Sequence, residues 1–439
     1  MSRILKNFIN SKEKHFKHLQ RLSKINVRKW AIKISDIQKG YSNFYNPKSV
    51  QPYIPYVAKG PWIKTAEGKY IYDTGGYGML GLGHNPSDVV NSLKKEQVMA
   101  NIMTPNISQK YFWDIIRKEL EPEYKSILCL NSGSEVNTMA MRIANIHQRN
   151  HPVIVSMIGS FHGRTEKPAL ASFSCRKTYE ENLSDYQNKN LPTYFINYND
   201  IDHAEYIYRK IEKNNQFPEI TLIEPVQGEG NPGEIMKPEF YKYLRERTRE
   251  MGGLLLADSV QAGLRCTGEL SITRYPGFKG LEPPDFETFS KAINAGQFPL
   301  SVLALSENLT NNFRLGLYGN TMTGNPRGLD IGISVLKNIT PDVKKNIVEK
   351  GKIMKEHFYE LETKYSFIEK ITGTGLLLAI HLDKRLDVLD VEYRLRKKGL
   401  NVIHGGENAL RFTPWFLISE EEIKYICQIL EEEFVKLEI

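Results

Sequence analysis

No stretch of this chain stays apolar for the roughly 20 residues that a bilayer-spanning helix needs, so no membrane span is expected. Cysteine is scarce. Cys129, Cys175, Cys266 and Cys427 are scattered along the chain, with no CxxC pair and no histidine cluster beside them. That spacing argues against a disulfide framework and against a structural zinc site, and no metal is expected. Unpaired cysteines suit a reducing compartment, and the N-terminus lacks the apolar core of a secretion signal. The cytoplasm is therefore the expected location. Internal repeats and low-complexity tracts are also missing, which removes solenoids from consideration.

The rest is ordinary globular material. Hydrophobic residues make up 41% and charged residues 25%, ample for a buried core. A length of 439 residues fits two or three structural domains, or one large domain with a satellite. The formal net charge is +8, and most of the excess sits at the front, where Arg3, Lys6, Lys12, Lys14, Lys17, Arg21, Lys24, Arg28, Lys29 and Lys33 face only Glu13. A basic arm can bind nucleic acid or anionic lipid. No zinc-finger spacing and no RNA-binding aromatic signature accompanies it. Residues 1–50 therefore read as a basic, partly helical extension, solvated rather than bound to nucleic acid.

Short extended runs at 56–58, 62–64 and 70–72, with a turn at Glu67-Gly68-Lys69, predict a small antiparallel meander. From about residue 110 the texture changes. Apolar runs at 126–130, 153–157, 221–223, 254–257 and 301–305 alternate with segments of helical period. Buried strands with little alternation belong to mostly parallel sheets covered on both faces, and the intervening helices make this an α/β domain. After about 330, helices alternate with strands at 375–380 and 400–403, and a last helix starts at Ser419. This part reads as a smaller α+β domain that packs with the 53–73 meander. The expected division is 1–50 extension, 51–75 first part of the small domain, 76–330 large domain and 331–439 second part of the small domain.

In such sheets the ligand crevice lies beyond the carboxyl ends of the strands, so the residues just after each run matter most. The first run leads into Asn131-Ser132-Gly133-Ser134-Glu135 and a helix start. That is either an ordinary N-cap or an anion site at the positive end of a helix dipole. Asp258 ends another strand. It is either a capping residue or the partner of a buried cationic heterocycle. Phe161, in Ser160-Phe161-His162-Gly163-Arg164, is either core or a stacking platform. Glu224-Pro225-Val226-Gln227-Gly228-Glu229 puts two carboxylates at a strand end. Lys291 sits in an apolar, glycine-containing context, where a desolvated amine loses its proton easily and can form a Schiff base. For a lysine taken at random, a surface charge is the common meaning.

Taken in order, these segments resemble the class III (ornithine/4-aminobutyrate type) pyridoxal-phosphate aminotransferases of fold type I. The resemblance runs from about residue 53 to 435. It includes Tyr318-Gly319-Asn320-Thr321-Met322-Thr323-Gly324-Asn325-Pro326 and Asn408-Ala409-Leu410-Arg411-Phe412. It implies a large domain with a mostly parallel seven-stranded sheet between helices, plus a smaller α+β domain. It also implies roles. Lys291 would hold pyridoxal 5'-phosphate as an internal aldimine and then act as the catalytic base. Asp258 would keep the pyridine nitrogen protonated, with Phe161 and Val260 on the ring faces and Gln261 on the ring hydroxyl. Ser132, Gly133 and Ser134 would bind the phosphate, and His162 and Glu224 would belong to the coenzyme site. Asn320 and Thr321 would reach the phosphate of a second subunit, which makes a homodimer necessary. Glu229 would mask Arg411 while an ω-amine binds and release it for the carboxylate of a 2-oxo acid such as 2-oxoglutarate. Tyr77 and Met79 would line a partly apolar substrate entrance.

Several residues depart from the family pattern. Ser259 stands in place of Glu, Ala262 of Thr, Asn320 of Ser and Thr323 of Gly, and Gln297-Phe298 fill a spot that is often glycine-rich. These departures bear on the substrate more than on the chemistry, and a rearranged hydrogen-bond network is expected around Ser259. The leading reading is an aminotransferase that moves an amino group from an amine or ω-amino acid to a 2-oxo acid. A racemase, aminomutase or decarboxylase on the same scaffold is the alternative. A non-catalytic binding protein is a third reading, and the presence of Lys291 and Asp258 argues against it.

Overall fold

A computed structural model describes residues 3–10, 16–27, 32–42, 45–99, 102–147, 150–183, 186 and 191–437. Three strands form the meander: β1 (Pro55–Lys59), β2 (Trp62–Thr65) and β3 (Tyr70–Asp73). Gly68 makes its turn at φ +77°, a conformation that favours glycine.

The central sheet contains β4 (Tyr124–Leu130), β5 (Pro152–Met157), β6 (Thr193–Ile196), β7 (Phe217–Ile223), β8 (Leu254–Asp258), β9 (Phe286–Phe289) and β10 (Ser301–Ser306). Their order is β4-β10-β9-β8-β7-β5-β6. β10 runs antiparallel to β4 and β9, and the other pairs are parallel. One face is covered by helices Ile201–Lys213 and Pro238–Glu250, the other by helix Gly133–Ala144. Burial on both faces explains the unalternating Val, Ile and Leu runs. The apolar runs did not reveal β6 and β9. β6 is an edge strand with a half-buried pattern. β9 buries Glu287 and Thr288 completely, so it carries no apolar run at all.

The C-terminal part of the chain has β11 (Ile368–Thr374), β12 (Leu377–Leu382), β13 (Leu400–Asn401), β14 (Ile403–Gly405) and β15 (Ala409–Phe412). The single strand expected at 400–403 is divided. β13 pairs in parallel with β3 through Leu400 and Tyr72, while β14 joins β15 in the sheet β11-β12-β15-β14. A two-residue strand that changes sheets at Val402 cannot be read from hydrophobic pattern, because both halves are buried.

The N-terminal extension is less solvated than its charge suggests. Helix Lys17–Ser23 turns Leu19 and Leu22 into the core beside Phe16, and leaves Lys17 and Arg21 exposed. The ring of His18 meets Trp415 edge-on, 5.5 Å between centroids. Lys12, Lys14, Arg28 and Lys29 lie outside the described residues. The anchor is Lys64 on β2, only 6% exposed. Its Nζ donates to Leu22 O at 2.9 Å and to Ile25 O at 2.6 Å, carbonyls at the C-terminal end of that helix. Buried carbonyls that lose a charged donor are costly. Lys64→Met is therefore expected to destabilise the protein by about 1–3 kcal/mol, read from urea midpoints, and to expose residues 16–27 to protease first. An unchanged midpoint and digestion pattern would show that the extension is held without Lys64.

Candidate active site

β7, β8 and β9 run in parallel and end together at Ile223, Asp258 and Phe289. The helix that follows β4 begins beside them at Gly133. A cavity of about 450 Å³ opens at this edge. It is lined by Ser132, Gly133, Ser134, Phe161, His162, Glu224, Glu229, Asp258, Val260, Gln261 and Lys291, together with Met79, Asn137, Asn294, Gln297 and Phe298.

Asp258 is 4% exposed, and every contact it makes is a donor. Asn137 Nδ2 lies 2.7 Å and His162 Nδ1 2.9 Å from Oδ2, and the N–H of Val260 donates to Oδ1 at 3.1 Å. An ionised carboxylate only accepts, so Nδ1 is the protonated nitrogen of His162. Asn137 is held in turn. It donates to His162 O at 2.8 Å and accepts from the Thr288 hydroxyl at 2.9 Å. Sequence reasoning missed Asn137. The available signal was one amide on the apolar face of helix Gly133–Ala144, between Val136 and Met139.

Lys291 follows β9. Its backbone is held at φ +25°, in the left-handed region that non-glycine residues seldom occupy, and such strain concentrates where function over-determines the geometry. Burial, followed by the Arg411 cation, pulls the Lys291 amine below the ordinary lysine range, against the opposing pull of Glu229, Asp258 and Glu224. A larger neutral fraction makes it a better nucleophile and base.

Glu224, just past β7, accepts from Phe161 N at 3.0 Å and Gly228 N at 3.1 Å, so one carboxyl ties the Phe161 loop to the Glu229 loop. Burial is the main cause that raises it to about 7. Glu229 reaches Arg411, which projects from β15, with Oε2 at 2.7 Å from Nη1. Burial opposes ionisation of Glu229, but Arg411 and then Lys291 outweigh it and leave the carboxyl below its usual range. Arg411 is itself 2% exposed and also donates to Gly228 O. Ser259 Oγ donates to Glu287 Oε1 at 3.2 Å, so β9 supplies a carboxyl beside the position where the family pattern has Glu.

Four expected site residues do not line the cavity: Arg411, which touches it only through Glu229, and three that stand apart. Tyr77 is 43% exposed and does not line the cavity, although its neighbour Met79 does. Asn320 bonds Glu135 and Asn131 of its own chain, and with Thr321 it lines a separate apolar cavity of about 760 Å³.

The residues present fit a flat anionic heterocycle such as pyridoxal phosphate. Gln261 Nε2 and His162 Nε2 are buried polar atoms with no protein partner. A side chain at Gly133 would meet Val260 at 3.0 Å, so its glycine keeps the cradle open. The N–H groups of Gly133 and Ser134, in the first helical turn, have no intrahelical acceptor. Among the described residues no group of three or more His, Cys, Asp or Glu side chains is placed to hold a metal ion. No described helix is long and apolar enough to cross a membrane.

Comparison with known proteins places this geometry among relatives. The family model described as aminotransferase class-III matches residues 44–434. An acetylornithine aminotransferase from Prochlorococcus marinus is 29% identical over 394 residues, covering 85% of this chain and 89% of that protein. A [LysW]-aminoadipate semialdehyde/glutamate semialdehyde transaminase from Sulfolobus acidocaldarius is 27% identical and covers 87% and 97%. Among solved structures, taurine:2-oxoglutarate aminotransferase from Bifidobacterium kashiwanohense shares the fold at a TM-score of 0.81 and 17% identity, covering 92% and 97%. Ornithine aminotransferase from Toxoplasma gondii does so at 0.79 and 22%, covering 91% and 92%.

The buried carboxyls give a pH signature. Glu224 and Glu287 are both raised from 4.5 to about 7, chiefly by burial. A raised carboxyl lets the folded state hold the extra proton, so its stabilising share is complete below the unfolded value and is lost as pH climbs to the folded one. Urea midpoints of the coenzyme-free protein should therefore fall from about pH 5 to about pH 7.5. Glu224→Gln should remove one carboxyl's share of that fall, and equal pH sensitivity in the two proteins would contradict this assignment.

Proposed function

This chain belongs to the class III aminotransferases, and from that premise we propose how its own residues carry out the amino-group exchange of a pyridoxal-phosphate-dependent transaminase. The observation that carries the reading is that Lys291, Asp258 and Glu229 line one cavity, and that Arg411 stands behind it, bonded to Glu229. When bound, pyridoxal phosphate supplies an aldehyde that accepts the donor's amino group and a ring that accepts the electron pair left on the donor carbon.

Lys291 is the amine that would anchor the coenzyme, and its Nζ is the base that would take the proton from the donor carbon bearing the amino group. Asp258, fixed by Asn137 and His162, would hold the proton on the ring nitrogen. Phe161 and Val260 would hold the ring, Gln261 its hydroxyl, and Ser132, Gly133 and Ser134 the phosphate at the helix N-terminus. Glu224 sets the Phe161 loop. Arg411 offers its fork to the carboxylate of a 2-oxo acid, and Glu229 covers that fork while an ω-amine reacts. Arg164, 5.4 Å from the Phe161 ring and among the cations that lower Glu229, adds positive charge beside the cavity. That suits ω-amine donors with an acidic far end, the class to which acetylornithine and ornithine belong.

The functional unit is a homodimer. Met103, 81% exposed, and Leu315, 93% exposed, stand at the 760 Å³ cavity that Asn320 and Thr321 line, and an apolar rim of this kind marks an interface. A second copy covers it, and Thr321 then reaches the partner's phosphate site. The four free cysteines suit the cytoplasm.

Lys291→Ala should lose both the visible coenzyme band and transamination from an ω-amino donor to 2-oxoglutarate. A variant that keeps both would refute the assignment. Arg411→Lys should raise KM for 2-oxoglutarate roughly 10- to 100-fold, the scale of a lost charge-assisted hydrogen bond, with the donor half-reaction little changed. Leu315→Glu combined with Met103→Glu should sediment as an inactive monomer, and an active dimer would place the interface elsewhere.

A further inference from the structure

Arg265 lies just past β8 and is fully buried, yet no carboxylate is among its hydrogen-bond partners. Nη1 donates to Leu376 O at 3.1 Å and to Pro414 O at 2.5 Å, and Nη2 donates to Gly78 O at 3.1 Å. The guanidinium carbon stands 4.9 Å from the Phe416 ring centroid. Nε is buried without a partner. A guanidinium solvated only by carbonyls and one aromatic face is expensive to bury. Burial first, with the Arg411 cation adding to it, lowers its hold on the proton.

Its three acceptors belong to three separate segments. Gly78 sits in the mouth segment, residues 74–81, whose Met79 lines the cavity, and a side chain at Gly78 would strike the amide of Gln261. Pro414 follows β15, the strand of Arg411. Leu376 leads into β12, where Ala379 is paired opposite Arg411. Backbone bonds from Thr413 N to Thr74 O, 2.8 Å, and from Phe416 N to Gly81 O, 2.7 Å, lay the mouth segment along the residues that follow β15. Arg265 bridges those two segments from the large domain.

We propose that Arg265 is a positioning residue for carboxylate recognition, its fork fixing the strand that carries Arg411 against the mouth segment and its unneutralised charge adding to the pull on the incoming acid. This rests on Arg411 being the carboxylate seat. A fork with a fixed plane can hold three carbonyls of different segments at once, which an ammonium on a flexible stem cannot do as rigidly. A shift of the Arg411 strand changes how a carboxylate is met, while Lys291 and Asp258, on the large domain, stay in place.

The test uses the coenzyme-loaded protein with 2-oxoglutarate as acceptor. Arg265→Met should raise KM for the acceptor about tenfold or more, as small misplacements do. Its kcat, its donor half-reaction and its coenzyme band should stay within about threefold of wild type. Arg265→Lys, which keeps the charge without the fork, should fall between them. An unchanged KM in loaded Arg265→Met overturns the proposal, and so does a parallel loss of KM, kcat and coenzyme, which would mark a purely structural part. If neither variant loads coenzyme, Phe416→Leu decides, because it loosens Arg265 without removing it. A raised KM with intact kcat there supports the proposal, and a wild-type KM overturns it. Arg411→Lys separates the layers. An unchanged KM in that variant sinks the carboxylate seat itself, whereas a raised KM there beside an unchanged one in Arg265→Met sinks only the role of Arg265.

Discussion

A carboxylate taken out of water at the end of a central strand organises the site. Asp258 cannot stay charged at that depth without donors, and the three it finds come from three separate segments. Asn137 brings the helix whose first turn offers free N–H groups. His162 brings the loop that carries Phe161. Val260, which uses its N–H for the bond, lines the same cavity. Satisfying one acid therefore brings three parts of the cavity lining together. The same carboxylate is among the charges that offset the loss of proton affinity at Lys291.

Around that centre the protein keeps further charge buried, and each case has its own solution. Glu224 and Glu287 are fully enclosed and hold their protons to about 7. Glu229, in the loop after β7, and Arg411, on β15, neutralise each other. Arg265 has only carbonyls and a ring. The cavity therefore opens beside groups whose positions and partners are set by the fold, which is how a site keeps its field without reorganising water at the moment of reaction.

The residues that line the cavity were recognisable one at a time only as ambiguous strand-end features, and in order they carried the family resemblance. What stayed hidden was of two kinds. Polar positions inside the core, such as Asn137 and Glu287, look like exceptions to a pattern until their partners are known, because those partners lie far off in sequence. Short strands that change sheets, such as β13 and β14, have no periodicity of their own. The basic arm misled in the opposite direction. Its charges dominate composition, but Phe16, Leu19 and Leu22 decide where it lies.

The sequence alone determined the chemistry available: which lysine sits in an apolar turn, which acid ends a buried strand, and that parallel strands separated by helices would bring their carboxyl ends to one edge. Those are local facts, set by backbone preference and hydrophobic run length. Only the tertiary structure decided which charges meet. The pairing of Glu229 with Arg411, the three segments joined by Arg265 and the hold of Lys64 on the N-terminal helix all link residues far apart in the chain. Their existence depends on desolvation and distance, which no reading along the sequence contains.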